Sequence, residues 1–104
     1  MQYADGLKGS IVIFNPENAF VYQYQAVIEL TDWYHSPASL LVVPYLASVT
    51  GDEPVPDSIL INGVGQYNCT VCSYSLLEVP VDSIIRLRLI NQAIMGIISF
   101  SIDG

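Results

Sequence analysis

Residues 83–90 read S-I-I-R-L-R-L-I, and the order of those eight side chains decides the fold class. Ile85, Leu87 and Leu89 recur every second position, with Arg86 and Arg88 between them. That is the period of a strand and not of a helix. The spacing predicts a strand over 83–91, with one apolar core face and one face carrying two guanidinium groups. Downstream, 93–102 is a second apolar segment with Gly96 early in it, which predicts a strand over 96–102 before the turn signal at Asp103. Upstream, the run 74–79 is stopped by Pro80, and 58–62 (S-I-L-I-N) is stopped by Gly63 and Gly65. Residues 25–31 follow an aromatic stretch, and 10–14 (S-I-V-I-F) end at Asn15-Pro16. Each reads as a strand bounded by turn residues. Residues 37–56 differ, because prolines at 37, 44, 54 and 56 interrupt every run. No long helix or central strand is expected there, and at most one helical turn between 37 and 46. Short strands punctuated by Pro and Gly, with no repeat, predict an all-β domain of the Greek-key sandwich or barrel kind.

Composition narrows the function classes. The chain has 104 residues, 3 Lys+Arg against 10 Asp+Glu, and a formal net charge of -7. Three scattered cations cannot neutralise a run of phosphates, and the excess of acid repels nucleic acid and anionic lipid alike. Neither is expected as a partner. The apolar runs are far shorter than the roughly 18 residues a membrane span needs. Residues 1–6 (M-Q-Y-A-D-G) lack both a basic start and an apolar stretch, so no signal peptide is legible there and the signal of a secreted parent is expected upstream. Hydrophobic residues make up 52% of the chain, which demands a packed core, while charged residues make up only 12%. A self-contained soluble domain carries roughly 25% charged residues, so much of this surface is expected to be covered by other parts of a larger protein.

Few side chains offer chemistry. Cys69 and Cys72 form C-T-V-C, half of a zinc knuckle by spacing. The other half is missing, and a redox C-x-x-C opens a helix, whereas this one sits among strand and turn residues. A local disulfide or two inert thiols is the preferred reading. Asn68-Cys69-Thr70 is an N-x-T acceptor sequence for N-glycosylation, meaningful only in a secretory protein. His35 is the only imidazole. A triad with Asp32 and Ser36 or Ser39 would need three side chains from one extended segment to converge on one atom, and no G-x-S-x-G elbow is present. One imidazole also falls short of the two that a blue copper site needs. The preferred reading is a histidine hydrogen-bonded at a domain edge beside Trp33 and Tyr34. Asp52, Glu53 and Asp57 flank prolines and read as a solvated turn, and Arg86 and Arg88 are expected to pair with surface acids. No catalytic, cofactor-binding or metal-ligating residue is assigned.

Five ordered segments nevertheless form a pattern: Gln2-Tyr3-Ala4-Asp5-Gly6-Leu7-Lys8-Gly9, Asp32-Trp33-Tyr34-His35, Asp57-Ser58-Ile59-Leu60-Ile61-Asn62-Gly63, Arg86-Leu87-Arg88-Leu89-Ile90-Asn91 and Phe100-Ser101-Ile102-Asp103-Gly104. In order and spacing they closely resemble landmarks of fungal laccase-type multicopper oxidases. The resemblance implies an incomplete cupredoxin-like Greek-key β-sandwich. Residues 1–22 would be the C-terminal tail of a first cupredoxin domain, and 23–104 the N-terminal part of a second, plastocyanin-like domain that carries no copper. Asp5, Gly6, Asp32, Trp33, Tyr34, His35, Asn62, Gly63 and Asp103 would be structural landmarks. The copper ligands would lie outside this chain, whose partners would be the remaining cupredoxin domains of a secreted, glycosylated parent.

Such a parent oxidises phenolic or other aromatic substrates one electron at a time and reduces dioxygen to water, with copper as its cofactor. The isolated chain is expected to be inactive. Two departures stand out: basidiomycete members carry a cysteine pair where this chain has Ala4 and, without gaps, Ile94, and the substrate-contacting carboxylate that follows is replaced by Met95. Phenol deprotonation by that route is therefore in question. A ferroxidase-type parent, and a stand-alone non-catalytic β-sandwich interaction module, are the alternatives.

Overall fold

The computed structural model describes residues 1–103, so Gly104 of the last landmark lies outside them. Its centre is β1 (Tyr24–Trp33), flanked in one sheet by β2 (Ser58–Ile61) and β3 (Ile85–Asn91), in the order β2-β1-β3. β2 runs antiparallel to β1, from Leu30 opposite Ile61 to Trp33 opposite Ser58. β3 runs parallel, from Tyr24 opposite Ile85 to Leu30 opposite Asn91. The central strand is the longest and the most buried, which follows from having a hydrogen-bonded neighbour on both edges. Ile28 and Leu30 are the buried apolar residues, two apart on one face.

Three expected strands, 10–14, 74–79 and 96–102, form no ladder. An apolar β-branched run favours extension, but only a partner strand satisfies its alternating N–H and C=O groups. Among the described residues none is presented to these segments. Ile11, Ile13, Phe14, Leu76 and Ile97 consequently stand exposed. The two-residue period of 83–91 is realised as β3, but its apolar face is not a closed core, since Leu89 is 48% exposed. The other face is half-covered instead. Arg86 donates to Asn18 Oδ1 (3.2 Å) and lies over the Tyr22 ring, and Arg88 reaches Gln25 Oε1 (3.4 Å). The expected pairing of these arginines with acids is thus corrected: both turn to amide oxygens of the neighbouring segment.

The largest departure is α1 (Ala38–Ala47), ten residues where one turn was expected. The carbonyl of Pro37 accepts from both Leu40 and Leu41 N–H and starts the helix. Ala38, Leu40 and Leu41 are strong helix formers, and they carry the first turns before Pro44 is reached. Pro44 lies inside and removes one internal bond, so the helix runs through a residue that usually ends one. It has no buried residue, and Leu40, Val43 and Leu46 are each at least 65% exposed.

One open sheet, with no second sheet packed on it among the described residues, is the architecture of an incomplete sandwich. Its dimensions agree. The radius of gyration is 17.2 Å, against about 13 Å for a compact chain of this length. The accessible surface is 8188 Å², against about 5,800 Å² for a folded monomer of this mass.

Candidate functional site

At the C-terminal end of β1 the chain changes from apolar to polar, and Thr31 and Asp32 are buried there. Asp32 is the most enclosed side chain, only 2% exposed. Its carboxylate accepts the N–H groups of Ile94, Met95 and Gly96, each at 3.0 Å, from the turn that follows β3. Burial alone pushes this carboxyl up. The three N–H groups, with the nearby Lys8 ammonium, outweigh that effect and hold it below the ordinary aspartate value. An ionised carboxylate therefore clamps the 94–96 turn to the centre of the sheet. Gly96 packs against this carboxylate, and a Cβ there would make only ordinary contact, 3.5 Å from Asp32 Cβ and Oδ2.

The N-terminal segment docks on the same corner. Tyr3 Oη donates to the Gln92 carbonyl (2.9 Å), as does Lys8 Nζ (3.0 Å), which also bonds Thr31 Oγ1. Gln92, itself buried, donates through Nε2 to Ser10 Oγ (3.0 Å). Asp5 Oδ1 accepts the Ala38 N–H (2.8 Å), fixing the start of α1. Gly6, with φ of +100°, lies against the Trp33 ring, its Cβ position 3.5 Å from Cζ3. Backbone at this φ is open to glycine and strained for a side chain. Asp5, Gly6, Asp32 and Trp33, far apart in sequence, thus meet at one corner.

Between that corner and α1 lies an apolar cavity of about 150 Å³, lined among others by Ala4, Tyr34, Leu41, Tyr45, Ile94 and Met95. Tyr34 Oη donates to the Pro54 carbonyl (3.2 Å). Burial, and then the carboxylates of Asp32 and Glu53, push its phenol up and keep it protonated. Ala4 and Ile94, the two positions at which the resemblance implies a cysteine pair, line this one cavity, and Met95 adds a thioether to its wall.

His35 faces the other way. Asp57 accepts from its backbone N–H (2.7 Å) and meets its Nδ1 (3.1 Å), and its ring stacks on Tyr67 at 3.9 Å. The expected hydrogen bonding of His35 is present, through Asp57, and the ring it stacks on is Tyr67 and neither Trp33 nor Tyr34. Asp57 is more than a solvated turn: the His35 N–H and then its ring hold the carboxyl below its ordinary value. Asn62, at φ of +50°, trades backbone and side-chain bonds with Glu29, and Gly63 at +78° completes the turn after β2. Asp103 stays apart and exposed, and so does Asn68.

Copper does not fit this donor set. Cys69 and Cys72 are joined in a disulfide, His35 is engaged by Asp57 and Tyr67, and among the described residues no three His, Cys, Asp or Glu side chains converge on a common point. The resolved chemistry is that of a clamp. Sequence reading named Asp32 as a landmark but missed its role, because with Glu29 in the same strand nothing local marks it as the buried acid.

The profile of the family described as Multicopper oxidase matches residues 25–104. Laccase-4 of Thanatephorus cucumeris is 38% identical over 99% of the chain and 21% of its own length. Laccase-1 of Fomitopsis schrenkii is 38% identical over 100% of the chain and 19% of its own length, and the laccase of Phlebia radiata is 34% identical over 99% and 20%. The chain thus spans about a fifth of the length of the curated relatives it matches. No solved structure matches it. With an open all-β sheet, its corner built from widely separated landmark segments, and a family profile covering all of β1 but its first residue, together with α1, β2 and β3, the chain belongs to the multicopper oxidase family, with a cupredoxin-type domain as its fold.

Proposed function

We propose that this chain is the scaffold portion of a laccase-like oxidase, whose parent oxidises phenolic or other aromatic reductants and passes the electrons to dioxygen. The observation that carries the proposal is whole-chain similarity to laccases of three fungal sources. In this reading 1–22 are the tail of one cupredoxin domain and 23–104 begin the next. The docking of Tyr3 and Lys8 on Gln92 is the seam between them. Copper is held by residues outside this chain, the other cupredoxin domains cover the exposed apolar surface, and the parent is secreted and glycosylated.

Met95 bears on which aromatic reductants are accepted. A thioether accepts no proton from a phenol, so this parent would favour aromatic reductants that lose an electron without a carboxylate base at this position, and a ferroxidase-type parent is the alternative. The test is the coding sequence on either side, then the full-length protein. An H-x-H pair upstream and an H-C-H run downstream are expected, with copper uptake and dioxygen consumption on an aromatic dye. Turnover of ferrous iron alone would move the parent to the ferroxidase type. Flanks without histidine pairs would leave a non-catalytic β-module.

A further inference from the structure

The loop after β2 carries a feature that the scaffold role does not use. Asn68, the acceptor of the N-x-T sequence, is exposed, and the residue between it and Thr70 is one half of the Cys69–Cys72 disulfide. We propose that Asn68 is an N-glycan acceptor whose modification is controlled by this disulfide: the open dithiol form accepts the glycan, and the closed loop does not. The proposal rests on the parent entering the secretory pathway.

The argument is one of reach. In the closed loop the Cα atoms of residues 69 and 72 are 5.7 Å apart. Three residues of extended chain span about 10 Å. A transfer enzyme must draw Asn68 and Thr70 together into its cleft as a pliant segment, and a four-residue ring anchored at the middle of that segment cannot lengthen. The ring also leaves Asn68 in left-handed backbone at φ of +44°, a conformation adopted by single residues in turns and not by extended chain.

Two reactions compete for the loop. In one, the Asn68 amide nitrogen bonds to the anomeric carbon of a lipid-pyrophosphate-linked oligosaccharide, the carbon–oxygen bond to the pyrophosphate breaks, and the amide loses a proton as the lipid pyrophosphate departs. In the other, two thiols lose two protons and two electrons to a disulfide oxidant of the same compartment, whose own disulfide is reduced to a dithiol. Disulfide formation takes seconds or longer, while synthesis delivers about 5–20 residues per second. The dithiol window is therefore open, but short, and partial modification follows.

The test is translation of the chain behind a cleavable secretory leader into microsomes, with glycan read by an endoglycosidase-sensitive gel shift and by peptide mass spectrometry. Glycan acceptance occurs on the entering chain, so folding is not required. Wild type is expected to be partly modified, and Cys72→Ser, which leaves the acceptor sequence intact, at least twofold more. Added dithiothreitol should raise wild type to the Cys72→Ser level, and Asn68→Gln should abolish the shift. Equal occupancy of wild type and Cys72→Ser, or no glycan on Asn68 in any arm, overturns the proposal. Because the leader is supplied, these outcomes are independent of where the parent resides. That reading is tested separately, by finding the parent in the medium or in the cells of its source, and retention in the cells would refute the location alone.

Discussion

Replacing Asp32 with Ala removes the acceptor for three N–H groups, those of Ile94, Met95 and Gly96, each 3.0 Å from a carboxylate oxygen. Hydrogen bonds to a charged partner contribute about 1.5–3 kcal/mol each, so a simple sum gives at most about 9 kcal/mol. Two effects reduce it. The variant no longer pays the desolvation of a carboxylate that is only 2% exposed, and a turn no longer held can open to water. We expect a net cost of about 3 kcal/mol to local structure, which is about 100-fold in a local equilibrium. The assay is amide exchange across residues 93–97 in the full-length oxidase proposed to carry this chain. In Asp32→Ala the three amides should exchange about 100 times faster, while β1 exchanges as before. Asp32→Asn keeps one carbonyl oxygen and should lose about tenfold. The sign of the pH dependence follows from the lowered carboxyl of Asp32. Its contribution is complete above the unfolded value of about 3.9 and is lost as pH falls through the lower folded value. A change of less than about threefold in Asp32→Ala would refute the clamp.

At Gly65 a Cβ would lie 2.7 Å from the Ile59 carbonyl oxygen as well as against Leu60, so Gly65→Ala should cost about 2 kcal/mol, measurable by urea unfolding of the full-length protein. Around His35, the lowered Asp57 carboxyl places the tie between β1 and β2 above the unfolded aspartate value, with loss of the tie as pH falls through the folded value; titration of the Tyr67 ring resonances should report it, and Asp57→Asn should remove the response. The isolated chain, with its accessible surface far above that of a compact monomer, should bind an apolar-surface dye and self-associate, and a monodisperse monomer with a cooperative thermal transition and no dye binding would count against the scaffold reading. Dialysed against copper, the isolated chain should take up none in stoichiometric amount, because its cysteines are paired and its one imidazole is engaged; an intense thiolate-to-copper band at about 600 nm would contradict this.

Sequence alone determined what is local. The two-residue period of Ile85, Leu87 and Leu89, the β-branched and apolar run around Ile28, and the stop at Gly63 are properties of consecutive residues, and β3, β1 and β2 form where they are written. Motif order also carried the family, since five short segments in register are independent of how they fold together. What needed the tertiary structure is whatever depends on a partner remote in the chain. Residues 10–14, 74–79 and 96–102 have the composition of strands, yet a strand is completed by a neighbour's backbone, and among the described residues none is presented to them. The helix at 38–47 passes through Pro44 once its first turn is anchored, a balance that local propensity misjudges. Asp32 reads in the sequence as one acid among ten, and only the fold brings the amides of residues 94–96 to its carboxylate and so makes it the clamp of this corner. The reason is physical: periodicity is written in neighbours along the chain, whereas the partner of a buried charge is chosen by how the whole chain packs.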